Sequence, residues 1–429
     1  MNKRIPVISI FIILFLSGYV SPALSMEEIV VLRFEGVINP IAAEYMAGKI
    51  KKATEENDRV VIIQLDTPGG LDTSMRIIVK EILNSRIPVV VYVAPSGSRA
   101  ASAGTFILMA ANIAAMAPGT NIGAAHPVNM GGGKMDRTMM KKVENDAVAY
   151  IRSIAEKMGR NADWAEDAVR KSVSISEKEA KELGVIDIIA ENIDELIQGI
   201  DGREVKTETG KTIIRTKGVK IRYVDMDMRQ RILAALSNPN VAYILMLLGM
   251  VGLYFELSNP GLILPGVVGG ISLILAFYAF QTLPINYAGL ALILLGLILF
   301  IAEIKVTSYG LLTVGGIISM VLGSLMLMDT DAPYLRISWS VILPTVLATA
   351  SFSVLILGLV VKSHRTRPVS GMDGLIGAEG IARTEIAPGG DIFIHGEIWK
   401  AESEDTIKKG DKIVVDKING LKVRVRSKI

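Results

Sequence analysis

The sequence predicts a three-part membrane protein: an α/β domain on a mainly parallel sheet, an α-helical transmembrane domain, and a small all-β OB-fold barrel. Three observations carry this. Short β-branched runs alternate with amphipathic stretches through residues 27–236, the pattern of βα units. The 125 positions of 237–361 hold only six charged side chains, a density suited to lipid. Over 371–429, short alternating strands recur between glycine- and proline-bearing turns, as in a small barrel.

Composition narrows the functions. Mean hydropathy is +0.43 over 429 residues, with 21% charged, which excludes a mainly disordered chain. Net charge is +3, so nothing points to nucleic acid as a partner. There is no cysteine, which removes disulfides, thiolate metal sites and cysteine nucleophiles. The three histidines, His126, His364 and His395, lie far apart in sequence, so neither a metal site nor another cofactor is expected.

The N-terminus reads as a signal peptide over residues 1–25. Lys3 and Arg4 precede an apolar stretch from Ile5 to Val20, and Ala23-Leu24-Ser25 supplies the small residues of a cleavage site. An uncleaved anchor helix fits the same residues. Either sends the next segment, 26–236, across the membrane. There, Ile29–Phe34, Val60–Leu65 and Pro88–Val93 read as buried strands, and Ala42–Thr54 and Thr73–Asn84 as helices.

Five apolar stretches follow, near 241–257, 261–280, 287–302, 308–328 and 338–361. They carry a possible internal repeat: Glu256, then Pro260-Gly261 and Gly269-Gly270-Ile271, against Glu303, then Gly310 and Gly315-Gly316-Ile317. Glycine pairs let helices approach closely in lipid. If 27–236 lies outside, five spans place Lys305, Lys362, Arg365 and Arg367 inside, and Asp329, Asp331 and Arg336 outside, in keeping with the positive-inside rule. This predicts a multi-pass cell-membrane protein with its first domain extracytoplasmic and its barrel cytoplasmic. The barrel, 371–429, has ten acidic and ten basic side chains, with Phe393 and Trp399 available for stacking. A protein-interaction or structural role suits it.

The chemistry belongs to the first domain. Asp66-Thr67-Pro68-Gly69-Gly70-Leu71 directly follows a strand. Its glycines would let backbone N–H groups face a cavity as an oxyanion hole; a Pro-Gly turn reads the same way. Ser96-Gly97-Ser98-Arg99-Ala100-Ala101-Ser102-Ala103-Gly104-Thr105 follows the next strand and leads into apolar Phe106–Ala111. A serine among small residues at a strand-to-helix turn has the physics of a nucleophile elbow, with the Ala103 amide beside it; helix N-capping is the alternative. On the helix expected over Lys134–Met158, Val143, Ala147, Tyr150 and Ile154 share one face, with Lys142 at its border and Lys141 on the opposite side with Val148 and Arg152. A partly buried Lys142 could serve as general base, or could pair with Asp146 four residues on. His126, in Gly123-Ala124-Ala125-His126-Pro127, competes as a base for Ser102.

The order TPGG, ASAGT, APGT-x-IGAAHP and a helical lysine about 40 residues beyond the serine resembles the NfeD family. These are membrane-bound relatives of ClpP and signal-peptide peptidase A. "ELSNPG…PGVVGGI" and the terminal barrel extend the resemblance over nearly the whole chain, closest to the long form. It implies a ClpP/crotonase-type ββα spiral in the first domain and a Ser102–Lys142 dyad. Ala149-Tyr150-Ile151 places the lysine seven residues before that triplet. It further implies Gly69, Gly70 and the Ala103 amide as oxyanion hole, a homo-oligomer through the protease domain, and a stomatin-like membrane protein as substrate or partner. The expected activity is membrane-anchored serine endopeptidase cleavage of hydrophobic segments. A non-catalytic scaffold for stomatin-like proteins, or a crotonase-type acyl-CoA enzyme, are the competing functions.

Overall fold

The structure is a computed structural model describing residues 27–128, 136–258, 261, 263–306, 308–330, 332–365 and 372–428. The signal segment, the Met130-Gly131-Gly132-Gly133 turn, Asn259-Pro260 and Arg367 lie outside the described residues.

The first domain is built on a six-stranded sheet, ordered β11-β1-β2-β3-β5-β8. Its strands are β1 Ile29–Glu35, β2 Val60–Asp66, β3 Val89–Val93, β5 Ile113–Met116, β8 Ile188–Ile189 and β11 Ile221–Val224, and every neighbouring pair is parallel. The strands are apolar runs because both faces are covered. Val30, Leu32, Val61, Ile63 and Leu65 pack into one core, while Ile29, Val31, Val60 and Ile62 pack into a second on the other face. The three strands expected from sequence are present within a residue or so. The two helices also appear, as α1 Pro40–Glu56 and α2 Asp72–Leu83. Asn39 caps α1 with its side chain on the Ala42 amide, ahead of Pro40, the arrangement a helix start favours.

A second, smaller sheet stands beyond the strand ends. It joins β4 Arg99–Ala101, β6 Asn121–Gly123 and β7 Ser174–Ser176, with β4 and β6 parallel. The chain climbs from one sheet to the other before each helix. β3 leads through β4 to α3 Ala103–Ala110, and β5 through β6 to α4 Arg137–Met158. Lone bridges, Ile38 to Gly70 and Thr67 to Ala100, make the same step after β1 and β2. Repeated strand–strand–helix units winding in this way form the ββα spiral of the ClpP/crotonase type. The run of alternating strands and helices predicted the large sheet. It gave no sign of the small one, whose strands are only three residues long.

Helices α5 Ala162–Arg170, α6 Glu177–Glu182, α7 Ile193–Ile200 and α8 Met228–Leu236, with the β9 Glu204–Thr207 and β10 Gly210–Ile213 hairpin, complete the domain. Five apolar helices follow: α9 Pro239–Ser258, α10 Ile263–Phe280, α11 Tyr287–Lys305, α12 Leu311–Leu327 and α13 Trp339–Arg365. Three spans among the described residues are long and apolar enough to cross a membrane: Pro239–Ser258, Ile263–Phe280 and Pro333–Phe352. One glycine of each predicted pair, Gly269 and Gly316, lies at a close helix contact, whereas Gly270 has nothing within 4 Å. A Cβ on Gly252 would sit 2.8 Å from Gly269 Cα, and one on Gly316 would sit 3.1 Å from the Gly296 carbonyl. Glu303 accepts from the Ser308 hydroxyl and the Gly310 and Thr313 amides at 2.7, 3.0 and 3.0 Å, so the second half's glutamate holds the start of α12.

After α14 Met372–Leu375, the strands β12 Glu379–Ala382, β13 Gly389–Ile394, β14 Glu397–Glu402, β15 Lys412–Asn419 and β16 Lys422–Ser427 close a barrel in the order β12-β13-β14-β16-β15. Its interior is aliphatic, including Ile386, Ile392, Ile413 and Val423, whereas Phe393 is 46% exposed.

Candidate active site

Ser102 occupies the one residue between β4 and α3. Its backbone adopts φ 51 and ψ −113, a region costly to any residue with a Cβ. The surroundings hold it there. The Ser102 amide donates to the Gly123 carbonyl at 3.0 Å, and the Ser102 carbonyl accepts from the Thr105 amide at 3.0 Å. The buried Thr105 hydroxyl lies 3.0 Å from both the Ala100 and Gly123 carbonyls. The strand-to-helix elbow expected from ASAGT is therefore present, with Ser102 half-buried at the N-terminus of a buried helix.

The TPGG loop packs directly on this turn. Gly69 has φ +122, and a Cβ there would lie 2.7 Å from Ser102 Cβ and 3.2 Å from Ser102 Oγ. A Cβ on Gly70 would come within 2.2 Å of the Ile38 carbonyl, and one on Gly104 within 2.5 Å of Thr67 Cγ2. The glycines of both motifs thus serve close approach, of Gly70 to the Ile38 backbone and of Gly69 and Gly104 to side chains of the facing loop. The Gly69 amide donates to Thr67 Oγ1 at 3.1 Å. The Gly70 and Ala103 amides have no partner among the described residues.

A cleft of about 480 Å³ opens at Ser102, lined by Pro68, Arg99, Ala101, Ala124, His126 and Val128. Its remaining wall is Ala332, Pro333 and Tyr334, the turn between α12 and α13. Sequence reasoning missed this wall, because no local pattern links residue 334 to residue 102. The His126 ring is half-buried and its Nδ1–H donates to the Val169 carbonyl at 3.0 Å. A fragment ending at residue 236 lacks the Tyr334 wall. It is expected to keep peptide hydrolysis while KM for apolar peptides rises several-fold, and steady-state kinetics of fragment and full chain will measure this. Equal KM values would show that the wall plays no part in binding.

Lys142 is placed differently from its expected position. The buried stripe of α4 is Ala147, Val148, Ile151, Ile154 and Ala155. Val148, assigned by periodicity to the opposite side, is 5% exposed, whereas Val143 is 37% exposed. The periodicity was misread because the helix enters the core only at Ala147. Residues 137–146 form an arm whose side chains are exposed or half-exposed, so apolar residues there do not mark the core face. Lys142 stands exposed on this arm. Neither its ammonium nor the Ser102 hydroxyl has a hydrogen-bond or ion-pair partner among the described residues. The structure thus brings Ser102, Gly69, Ala103 and His126 together, and Lys142 is not among the residues that line the cleft.

Fold and site define a ββα-spiral domain with a serine at a strand–helix elbow, joined to a membrane domain. Family models match along the chain: the "NfeD1b, N-terminal domain" over 29–208, the "NfeD integral membrane domain" over 240–360 and the "NfeD-like C-terminal, partner-binding domain" over 372–426. The "Membrane-bound protease PH1510" of Pyrococcus horikoshii is 34% identical over 427 residues, covering 96% of each chain. The "Membrane protein NfeD1b" of Bacillus subtilis is 28% identical over 448 residues, covering 99% of this chain and 98% of that protein. Among solved structures, the "1510-N membrane protease specific for a stomatin homolog from Pyrococcus horikoshii" is 33% identical, covers 49% of this chain and 98% of its own, and has a TM-score of 0.44. A lysine-to-alanine mutant of the same 1510-N protease, in complex with a substrate peptide, is 33% identical with coverages of 49% and 97% and a TM-score of 0.46. The chain belongs to the NfeD family. It is a membrane protease.

Proposed function

We propose that the chain is a serine endopeptidase using a Ser102–Lys142 dyad. The observation that carries this reading is the Ser102 elbow, whose strained backbone and Gly69 neighbour make sense for a nucleophile and for little else. In the proposed reaction, neutral Lys142 takes the Ser102 proton as the hydroxyl oxygen attacks the substrate carbonyl. The oxyanion is met by the Gly70 and Ala103 amides, neither of which has a partner among the described residues, with the α3 N-terminus behind them. Gly69 contributes chiefly the space beside Ser102. The proton passes from Lys142 to the leaving amine, and water then hydrolyses the acyl-enzyme. The dyad requires the α4 arm to lie over the cleft. Its freedom from core packing leaves that placement to substrate or to a second copy in a homo-oligomer. Labelling of Ser102 by a serine-reactive phosphonate tests the nucleophile, and absence of an adduct in active protein would sink it.

A second reading pairs Ser102 with His126, since both line one cleft and the Val169 contact leaves Nε2 as the acceptor nitrogen. The variants considered in the Discussion separate the two.

The substrate we infer is a hydrophobic segment of a stomatin-like membrane protein, in line with the stomatin specificity of the P. horikoshii protease and with the partner-binding role of the family's C-terminal domain. Binding of that partner without its being cut would overturn this substrate assignment. We further propose residues 1–25 as a signal peptide, 26–236 as the protease domain, 237–361 as the membrane domain and 371–429 as the barrel. The protease domain is placed outside the cytoplasm and the barrel inside. In sealed spheroplasts, added protease is expected to digest the first domain and spare the barrel. Digestion of both would overturn the five-span arrangement.

A further inference from the structure

We propose that Arg76 is a positioning residue that keeps Lys142 available as a base by holding Asp146, the carboxylate one helical turn away. The inference rests on the Ser102–Lys142 reading.

Residues four apart on a helix are neighbours, and a carboxylate there stabilises the protonated form of a lysine. Lys142 and Asp146 have that spacing. Yet Asp146 is ion-paired with Arg76 of α2, and Arg76 also bonds Asp72 at 2.8 Å. The Arg76 guanidinium lies 4.3 Å over the Tyr150 ring, and that ring stacks on Phe106 at 6.0 Å. Phe106 belongs to α3, the helix that Ser102 introduces. One arginine of α2 therefore meets α4 at Asp146 and Tyr150, where the helix enters the core, and occupies the carboxylate that would pair with the lysine.

The acids nearest the arm are also engaged: Asp136 caps α4 on the Thr138 amide at 3.3 Å, while Arg137 adds a positive charge beside it. Glu144 bonds Arg170 of α5 at 3.0 Å, and Arg170 bonds Glu166 at 2.7 Å. Asp163 and Glu166 of α5 bond Arg152 of α4 at 2.9 and 2.8 Å. Helix α3 carries no charged side chain, and Lys141 adds a positive charge on the arm itself. Asp146 is thus the acid whose release would act on Lys142. A guanidinium remains charged at every working pH and grips a carboxylate with a planar fork, so it outcompetes the lysine.

The test uses the detergent-solubilised full chain, a fluorogenic apolar peptide, and kcat/KM across neutral to alkaline pH. Arg76→Gln frees Asp146 beside Lys142, so the alkaline midpoint is expected to rise by about a third of a pH unit, the upper scale of an i,i+4 pair. The rate at neutral pH should fall by roughly two-fold with KM little changed. Asp146→Asn added to Arg76→Gln should return the midpoint, and Arg76→Lys should keep it. An unmoved midpoint in Arg76→Gln, or a shift that survives Asp146→Asn, overturns the proposal, since loss of packing alone would not be repaired by removing a carboxylate. Should Arg76→Gln not assemble, Asp146→Asn beside native Arg76 still decides: its midpoint stays or falls under the proposal, and a rise refutes it. Lys142→Ala measured alongside separates the two levels. Near-normal cleavage there defeats the dyad reading itself, whereas loss of cleavage with an unmoved Arg76→Gln midpoint defeats only this inference.

Discussion

Ser102→Ala is expected to abolish peptide hydrolysis, and Lys142→Ala to reduce it nearly as far. The first removes a single oxygen from a turn that backbone bonds to Gly123 and Thr105 already fix, so the fold should persist. The second leaves the hydroxyl unactivated, and an unactivated serine is a poor nucleophile. Each loss should amount to several kcal/mol of transition-state stabilisation, on the order of a thousand-fold or more in rate, and the double variant should be little worse than either single one. Lys141→Ala and His126→Ala should retain substantial activity. Initial rates on a hydrophobic peptide suffice to judge this. Full loss in His126→Ala with near-normal Lys142→Ala would transfer the base to the histidine, and activity in Ser102→Ala would end the serine mechanism.

Gly69→Ala should be nearly as damaging, for a steric reason. The added methyl would lie 2.7 Å from Ser102 Cβ at a backbone angle of φ +122. Backbone strain there costs on the order of 1–3 kcal/mol, and relief of the clash must displace either the TPGG loop or the serine. A displacement of about 1 Å at a reacting centre is worth roughly a hundred-fold in rate. The expected result is a loss of at least that size, with far-UV circular dichroism unchanged. Gly97→Ala serves as the control. It too has a positive φ, +90, but nothing lies within 4 Å of the added carbon, so it should lose some stability and little catalysis. Comparable activity in the two variants would contradict the close approach at Ser102.

The parts of the fold governed by local pattern were readable from the sequence. VVIIQL and VVVYV could be strands because both faces of a parallel sheet are covered, and the six charges of residues 237–361 marked the apolar helices. The serine was readable because an elbow needs small residues at Ala101, Ala103 and Gly104, and these are contiguous. Lys142 was chosen by a helical face that the structure does not support. The first ten residues of α4 are not packed in the core, so the stripe drawn through Val143 described no buried surface. The hold of Arg76 on Asp146 joins positions 70 apart in the chain, and Tyr334 meets the Ser102 cleft across an even longer separation. Contacts of that kind leave no periodicity to find.

The dihedral angles of Ser102 also set activity and durability against one another. At φ 51 and ψ −113 a side chain is a burden that glycine would not carry. Replacing Ser102 by glycine would remove the nucleophile and relieve a conformational cost of order 1 kcal/mol or more. If Ser102 is the nucleophile, as proposed, every functional copy of this chain keeps a residue that a more heat-resistant but inert copy would discard. Under selection for endurance alone, the active serine is the position most exposed to loss. Its retention in a descendant would point to hydrolysis still being required, and its replacement by glycine would mark a lineage in which only the assembled membrane scaffold was kept.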